Sequence, residues 1–206
     1  MGRALSVSEL INKKYKLYEF DQEWFQAFDK PERSGVWIVW GNSGNGKTSF
    51  VLQLIKYLAS FGKVAYVSLE ESSAHTMQNA FIRIGMEEVA RRVLLVERED
   101  INDINERLSR KKAPKVVVID SLQYSDINWA TYKKLKEAHG NKLIIFVSHA
   151  EGRNPAGRIA KKVMFDATLK IWVEGYRAIS KGRYIGPNGG IYTIWDEGAE
   201  KYWGEK

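Results

Sequence analysis

The chain has 206 residues, with 32 lysines and arginines against 25 aspartates and glutamates, a net charge of +7, and no cysteine. That length suits one α/β domain with a sizeable core and leaves little room for a second. Without cysteine there is no disulfide framework, thiolate metal site or cysteine nucleophile, and three scattered histidines (His75, His139, His149) argue against a zinc site.

The N-terminus lacks the apolar stretch of a signal peptide, and no apolar run reaches the length of a membrane span, so a cytoplasmic location is expected. Ser6 and Glu9 stand at the spacing of a capping box and predict a short helix. "DQEWFQAF" (21–28) predicts a second, ended by Pro31. Residues 1–33 are therefore expected to form a helical segment packed on a core running from 34 to 206. "GVWIVW" (35–40) reads as a buried strand. "KTSFVLQLIKYLASFG" places Phe50, Val51, Leu54, Ile55, Leu58 and Phe61 at the helical repeat, with Gly62 near its C-terminus.

Between this strand and helix lies "GNSGNGKTSF", the pattern G-x-x-x-x-G-K-S/T with Gly41, Gly46, Lys47 and Thr48 at its fixed positions. Glycines let the backbone curl so that successive N–H groups converge. Such a nest suits a polyphosphate, with Lys47 on the outer phosphates and the Thr48 hydroxyl on Mg²⁺. The helix N-terminus adds partial positive charge. A nucleoside triphosphate is expected on Gly41, Asn42, Ser43, Gly44, Asn45, Gly46, Lys47, Thr48 and Ser49.

Strand-like runs follow at 64–69, 93–96, 115–119 and 142–148, with helical patterns at about 73–85, 100–111 and 127–138. This alternation predicts a mostly parallel sheet covered on both faces. From Ala167 on, "ATLKIWVEG", "YRAISKGRY" and "GGIYTIWDE" read as short strands joined by glycine-containing turns, an antiparallel extension of the sheet.

Three strand ends carry polar residues. Asp120 closes "KVVVID", where a carboxylate faces the ligand crevice of an α/β sheet and can hold Mg²⁺ beside Thr48. "VAYVSLEES" ends in Glu70 and Glu71, either of which is a candidate general base for an attacking water, or simply a solvated acid before a helix. "IIFVSH" ends in Ser148 and His149, positioned to hydrogen-bond a terminal phosphate. Beyond them, "AEGRNPAGRIAKKVMF" (150–165) carries Arg153, Arg158, Lys161 and Lys162 against one acid, Glu151. Cations on a glycine-containing, mobile segment suit a phosphate backbone; a solvated surface loop is the plainer alternative.

In order, the phosphate loop, "SLEES", "VVVIDSLQ" and "FVSH" resemble RecA-like P-loop ATPases, above all the ATPase core of the RadA/Sms group, with similarity to DnaB-type helicase motors. The resemblance spans about residues 34 to 196. It implies ATP as the nucleotide, Glu70 as the catalytic glutamate, Mg²⁺ at Thr48 and Asp120, and His149 as the residue that senses γ-phosphate. It also implies that the segment after His149 faces DNA, single-stranded or branched, and that the protein works as a homo-oligomer, ring or filament, with a recombination or replication partner. The group's zinc ribbon has no cysteines to build it here, and its "K-N-R-F-G" signature is only loosely met by "KGRYIG" (181–186). In style the chain is similar to stand-alone cores carried by phages. Lys181 and Arg183 occupy the place from which a RecA-like subunit reaches its neighbour's γ-phosphate; two solvated charges on an edge strand are the alternative. The expected function is a DNA-stimulated, Mg²⁺-dependent ATPase, with a small P-loop kinase or a KaiC-like nucleotide-gated assembly protein as alternatives.

Overall fold

The computed structural model describes residues 4–185 and 189–204. Helix α1 (Val7–Ile11) forms with both halves of the Ser6–Glu9 capping box in place, yet it buries none of its residues. Helix α2 (Gln22–Phe28) ends at Asp29, whose φ of 57° breaks the helix two residues before Pro31. Here the N-terminal segment joins the core. Tyr18, Phe20, Ala27 and Phe28 are buried, and Trp24 stacks on Tyr57 and Tyr192 at ring separations of 4.6 and 4.4 Å. Tyr57 Oη donates to Asp21 Oδ1 at 2.6 Å and accepts from the Asp21 N–H at 3.0 Å, which pins α2 down.

The chain then alternates β1 (Gly35–Gly41), α3 (Lys47–Leu58), β2 (Val64–Ser68), α4 (His75–Ile84), β3 (Val93–Glu97), α5 (Ile101–Ser109), β4 (Val116–Asp120), α6 (Trp129–Ala138) and β5 (Leu143–Glu151). Next come a two-residue strand β6 (Asn154–Pro155), α7 (Arg158–Asp166), β7 (Leu169–Glu174), β8 (Arg177–Gly182), β9 (Gly190–Thr193) and α8 (Asp196–Trp203). The sheet order is β3-β2-β4-β5-β1-β7-β8-β9, with β6 folded back on β5. Side chains alternate between its faces, as the strand repeat of two requires. Trp37, Val39, Tyr66, Val118, Ile145 and Val173 pack under α3, α4 and the N-terminal segment. Val36, Ile38, Val67, Ile119 and Phe146 face the other way, onto α5, α6 and α7. Among the described residues no helix is long and apolar enough to cross a membrane.

Two expectations need correction. Strand β7 runs parallel to β1, so only β8 and β9 make the antiparallel extension; the crossover through α7 carries the chain back to the starting end of the sheet. And residues 150–165 are not a mobile loop, because β5 runs on to Glu151, β6 pairs back onto it, and α7 follows.

Register places the site. Ser68 pairs with Asp120, Asp120 with Val147, and Gly41 with His149, so the carboxyl ends of β1, β2, β4 and β5 meet on one rim. That rim is where open α/β sheets bind ligands.

Candidate nucleotide site

The phosphate loop holds its shape through two left-handed glycines, Gly44 (φ 76°) and Gly46 (φ 89°), the latter capping α3. A side chain on Gly41 would put its Cβ 2.3 Å from the Val173 carbonyl oxygen, so β1 can approach β7 only with glycine there. Asn45 braces the loop. Its Oδ1 accepts from the Gly175 N–H at 2.8 Å, its carbonyl accepts from Tyr176 N–H at 3.2 Å, and its Nδ2 donates to the Ser43 carbonyl at 3.1 Å. Asn42, Ser43, Gly44, Gly46, Lys47, Thr48 and Ser49 line a cleft of about 250 Å³, closed opposite by Ser68, Glu70, Glu71, Asp120 and His149. Gly41 and Asn45 thus shape the loop from behind.

On the carboxylate side, Tyr66 Oη donates to Asp120 Oδ2 at 2.7 Å. Burial pushes the Asp120 carboxyl up to about 6, aided by Glu70 and Glu71 and opposed by the Tyr66 hydroxyl and the Lys47 ammonium. The paired glutamates separate. Glu70 Oε2 lies 3.0 Å from His149 Nε2 and 3.4 Å from Ser121 Oγ, whereas Glu71 accepts from Thr76 Oγ1 at 3.2 Å. The structure therefore joins Glu70 and His149 into one unit across β2 and β5. Ser148 does not share that rim: it is fully buried, donates to the His149 carbonyl at 2.9 Å and cannot touch a phosphate.

Sequence reading missed Gln123. Its Oε1 accepts from the His149 N–H at 3.1 Å, while its Nε2 donates to Ser148 Oγ at 2.9 Å and to the Ala156 carbonyl at 3.0 Å. It ties the ends of β4 and β5 to the segment entering α7. The one signal for it was its place just after the Asp120 strand.

A second cleft of about 490 Å³, sharing Ser49 with the first, is lined by Gln53, Arg83, Ile84, Tyr176, Ile194 and Trp195. Tyr176 and Trp195 meet edge to face at 5.0 Å, and Arg83 Nη2 donates to Ser49 Oγ at 3.4 Å. Aromatic faces and a guanidinium beside the phosphate loop suit a flat, polar-edged base.

Mg²⁺ fits the donor set. Among the described residues no three His, Cys, Asp or Glu side chains group into a metal cage. A cation that keeps its waters and shares its ligands with substrate phosphates needs no such cage, and Thr48 and Asp120 line the same cleft.

The basic residues after His149 are dispersed. Lys161 pairs with Glu151 at 3.0 Å, and Lys162 Nζ sits 5.4 Å from the centre of the Trp129 ring. Arg153 and Arg158 are exposed, the former held by its carbonyl, which accepts from Trp40 Nε1 at 3.1 Å. Lys181 and Arg183 lie away from the phosphate loop, Lys181 halfway along the sheet and Arg183 toward its amino end. Lys181 pairs across from Lys170, level with Ile38, and the Arg183 N–H donates to the Thr168 carbonyl at 3.2 Å. Three residues from Ile38 to Gly41 are about 10 Å of strand, so neither cation reaches its own cleft. Nor do the two share a strand face, since β8 ends at Gly182. Gly186 of the "KGRYIG" stretch is outside the described residues.

No protein-family model matches the chain, and no curated protein matches it in sequence. Its structure is similar to that of the flagellar accessory protein FlaH from Methanocaldococcus jannaschii, with a TM-score of 0.58 and 15% identity over 87% of this chain and 98% of that one. The likeness shows the fold class: a RecA-like fold, with a mostly parallel sheet and an antiparallel extension.

Proposed function

We propose that the protein is an Mg²⁺-dependent, RecA-like ATPase that works with DNA as a homo-oligomer in recombination, repair or replication. The observation that carries the reading is the joined pair Glu70–His149, facing the phosphate loop across one cleft. The loop N–H groups and Lys47 hold the phosphates of ATP, Tyr176, Trp195 and Arg83 hold the base, and Thr48 and Asp120 hold Mg²⁺. The metal supplies positive charge where negative charge develops on the transferred phosphoryl group. Glu70 takes the proton of a water whose oxygen attacks the γ-phosphorus, the bond to the ADP oxygen breaks, and phosphate leaves. His149 orients Glu70, and through Gln123 the state of this pair reaches Ala156 and α7. In this reading Arg153, Arg158, Lys161 and Lys162 take the DNA backbone.

Lys181 and Arg183, too distant for their own cleft, are assigned to the cleft of a neighbouring subunit, which makes assembly part of the mechanism.

The test follows the label of γ-phosphate-labelled ATP. The proposal expects free phosphate, released faster when single-stranded DNA is added. Label on an added nucleoside would make the protein a kinase, and a rate indifferent to DNA would favour a nucleotide-gated assembly protein.

A further inference from the structure

A basic groove lies at the end of the sheet opposite the nucleotide cleft. It encloses about 730 Å³ and is lined by Lys13, Lys14, Lys16, Arg33, Lys63 and Lys115, with Glu32 as its one acid. The four lysines Lys13, Lys16, Lys63 and Lys115 are exposed, and among the described residues none of the six cations is in an ion pair. Like charges gathered in one concavity repel, and Glu32 is the one acid in the lining to offset six cations.

Lys142, the residue before β5, lies outside the groove lining; it is buried, and its ammonium donates to the Pro114 carbonyl at 2.9 Å. Burial and then the charge of Lys115 hold its pKa below the ordinary lysine value.

The groove is also partly built in advance. The Arg33 guanidinium lies over Tyr18 and Phe61, 5.2 and 5.4 Å from their centres, and its Nε donates to the Leu17 carbonyl at 3.0 Å. These contacts hold the guanidinium of an otherwise exposed residue in one place. Tyr15 is exposed at the mouth, with Lys13 Nζ 4.8 Å from its ring centre. An exposed aromatic set among cations is the surface on which unpaired bases stack.

Length decides among anions. Lys63 enters β2, Lys115 enters β4, Gly140 and Asn141 precede β5, and Arg33 precedes β1, in the spatial order β2-β4-β5-β1. Three strand spacings of about 4.8 Å make a cationic track of roughly 14 Å. Consecutive phosphates of a single strand sit several ångströms apart, so a track of this length spans more than one of them and exceeds a single phosphate or carboxylate.

We propose that this groove, at the amino ends of β1, β2 and β4, binds single-stranded nucleic acid through its backbone, with Tyr15 stacking a base. It is a second contact, separate from the segment after His149 and from the ATP cleft, and it does not depend on either.

The probe is a fluorescently labelled oligo-dT, followed by anisotropy across a salt series. The variant Lys13→Gln/Lys16→Gln/Lys63→Gln/Lys115→Gln removes four groove cations, and Arg153→Gln/Arg158→Gln/Lys161→Gln/Lys162→Gln removes those of the other segment. Because the groove residues are exposed, thermal melting should match the wild type, and so should ATP turnover without DNA. The groove variant is expected to bind oligo-dT at least 10-fold more weakly at low salt, with the slope of log K against log salt flatter by about 2–3. Tyr15→Ala, leaving the charge unchanged, should weaken binding several-fold with the slope intact. An unchanged affinity and slope in the groove variant would overturn the proposal, whatever the other variant does. So would intact oligo-dT binding together with loss of self-association in light scattering, which would give the groove to a second copy of the chain.

Discussion

Lys47 and Gln123 mark what a single residue can and cannot disclose. The role proposed for Lys47, a fixed charge on outer phosphates, comes from the spacing of the loop alone. Lys47→Ala should abolish tight ATP binding, measured by titration with a fluorescent ATP analogue; retention of wild-type affinity would remove the loop from the site. Gln123 was invisible in the sequence because its three bonds join residues 25, 26 and 33 positions away, and those partners meet only once β4 and β5 lie side by side. Gln123→Ala leaves the loop, Thr48 and Glu70 untouched. It should keep ATP binding near normal and cut DNA stimulation of turnover at least threefold, whereas equal stimulation in mutant and wild type would detach Gln123 from the coupling. Ser148 taught the opposite lesson: strand-end position suggested exposure, and the alternation of faces buried it.

At the scale of elements, periodicity foretold the five strands and the helices between them, because buried parallel strands and amphipathic helices imprint their repeats directly. The direction of β7 was not foretold. Its alternation fits parallel and antiparallel pairing alike, and only the crossover through α7 decides. The segment after β5 misled because its glycines, Gly152 and Gly157, suggested mobility, while they in fact serve the turn into β6 and the cap of α7. The junction of α5 and α6 carries a pH prediction. His139 is buried at the end of α6, with Nε2 2.9 Å from Asn105 Oδ1, and burial followed by the nearby Lys142 charge lowers its pKa below the ordinary 6.5. A depressed histidine contributes stability that is complete above the unfolded value and is lost as pH falls through it toward the folded one. The midpoint of thermal unfolding should therefore drop more between pH 7.5 and pH 5 in the wild type than in His139→Gln. Parallel profiles would contradict the assignment.

Across the whole molecule, the two ends of the sheet differ in charge. The carboxyl rim carries Glu70, Glu71, Glu97, Asp120 and Glu151, and the amino end carries the groove cations, while Lys181 and Arg183 stand apart from both on and after β8. A head-to-tail stack would bring the β8 end of one subunit's sheet to the next subunit's nucleotide cleft, a heterologous contact that makes rings or filaments. Delivered in this way, a basic residue contributes about 10³–10⁵ to phosphoryl transfer. Lys181→Ala and Arg183→Ala should thus bind ATP without turning it over, and mixing either with Glu70→Gln subunits should restore activity at shared interfaces. If mixing restores nothing while the wild type is equally active as a monomer, the cations act elsewhere. All of this presupposes that Glu70 runs the chemistry of the cleft. The most direct measurement is ATP binding and phosphate release side by side for the wild type, Glu70→Gln and Glu71→Gln in Mg²⁺. Glu70→Gln should bind ATP normally and release phosphate roughly 10²-fold more slowly or worse, as loss of a general base requires, with Glu71→Gln close to wild type. Wild-type turnover in Glu70→Gln, or the loss appearing in Glu71→Gln instead, would contradict the account.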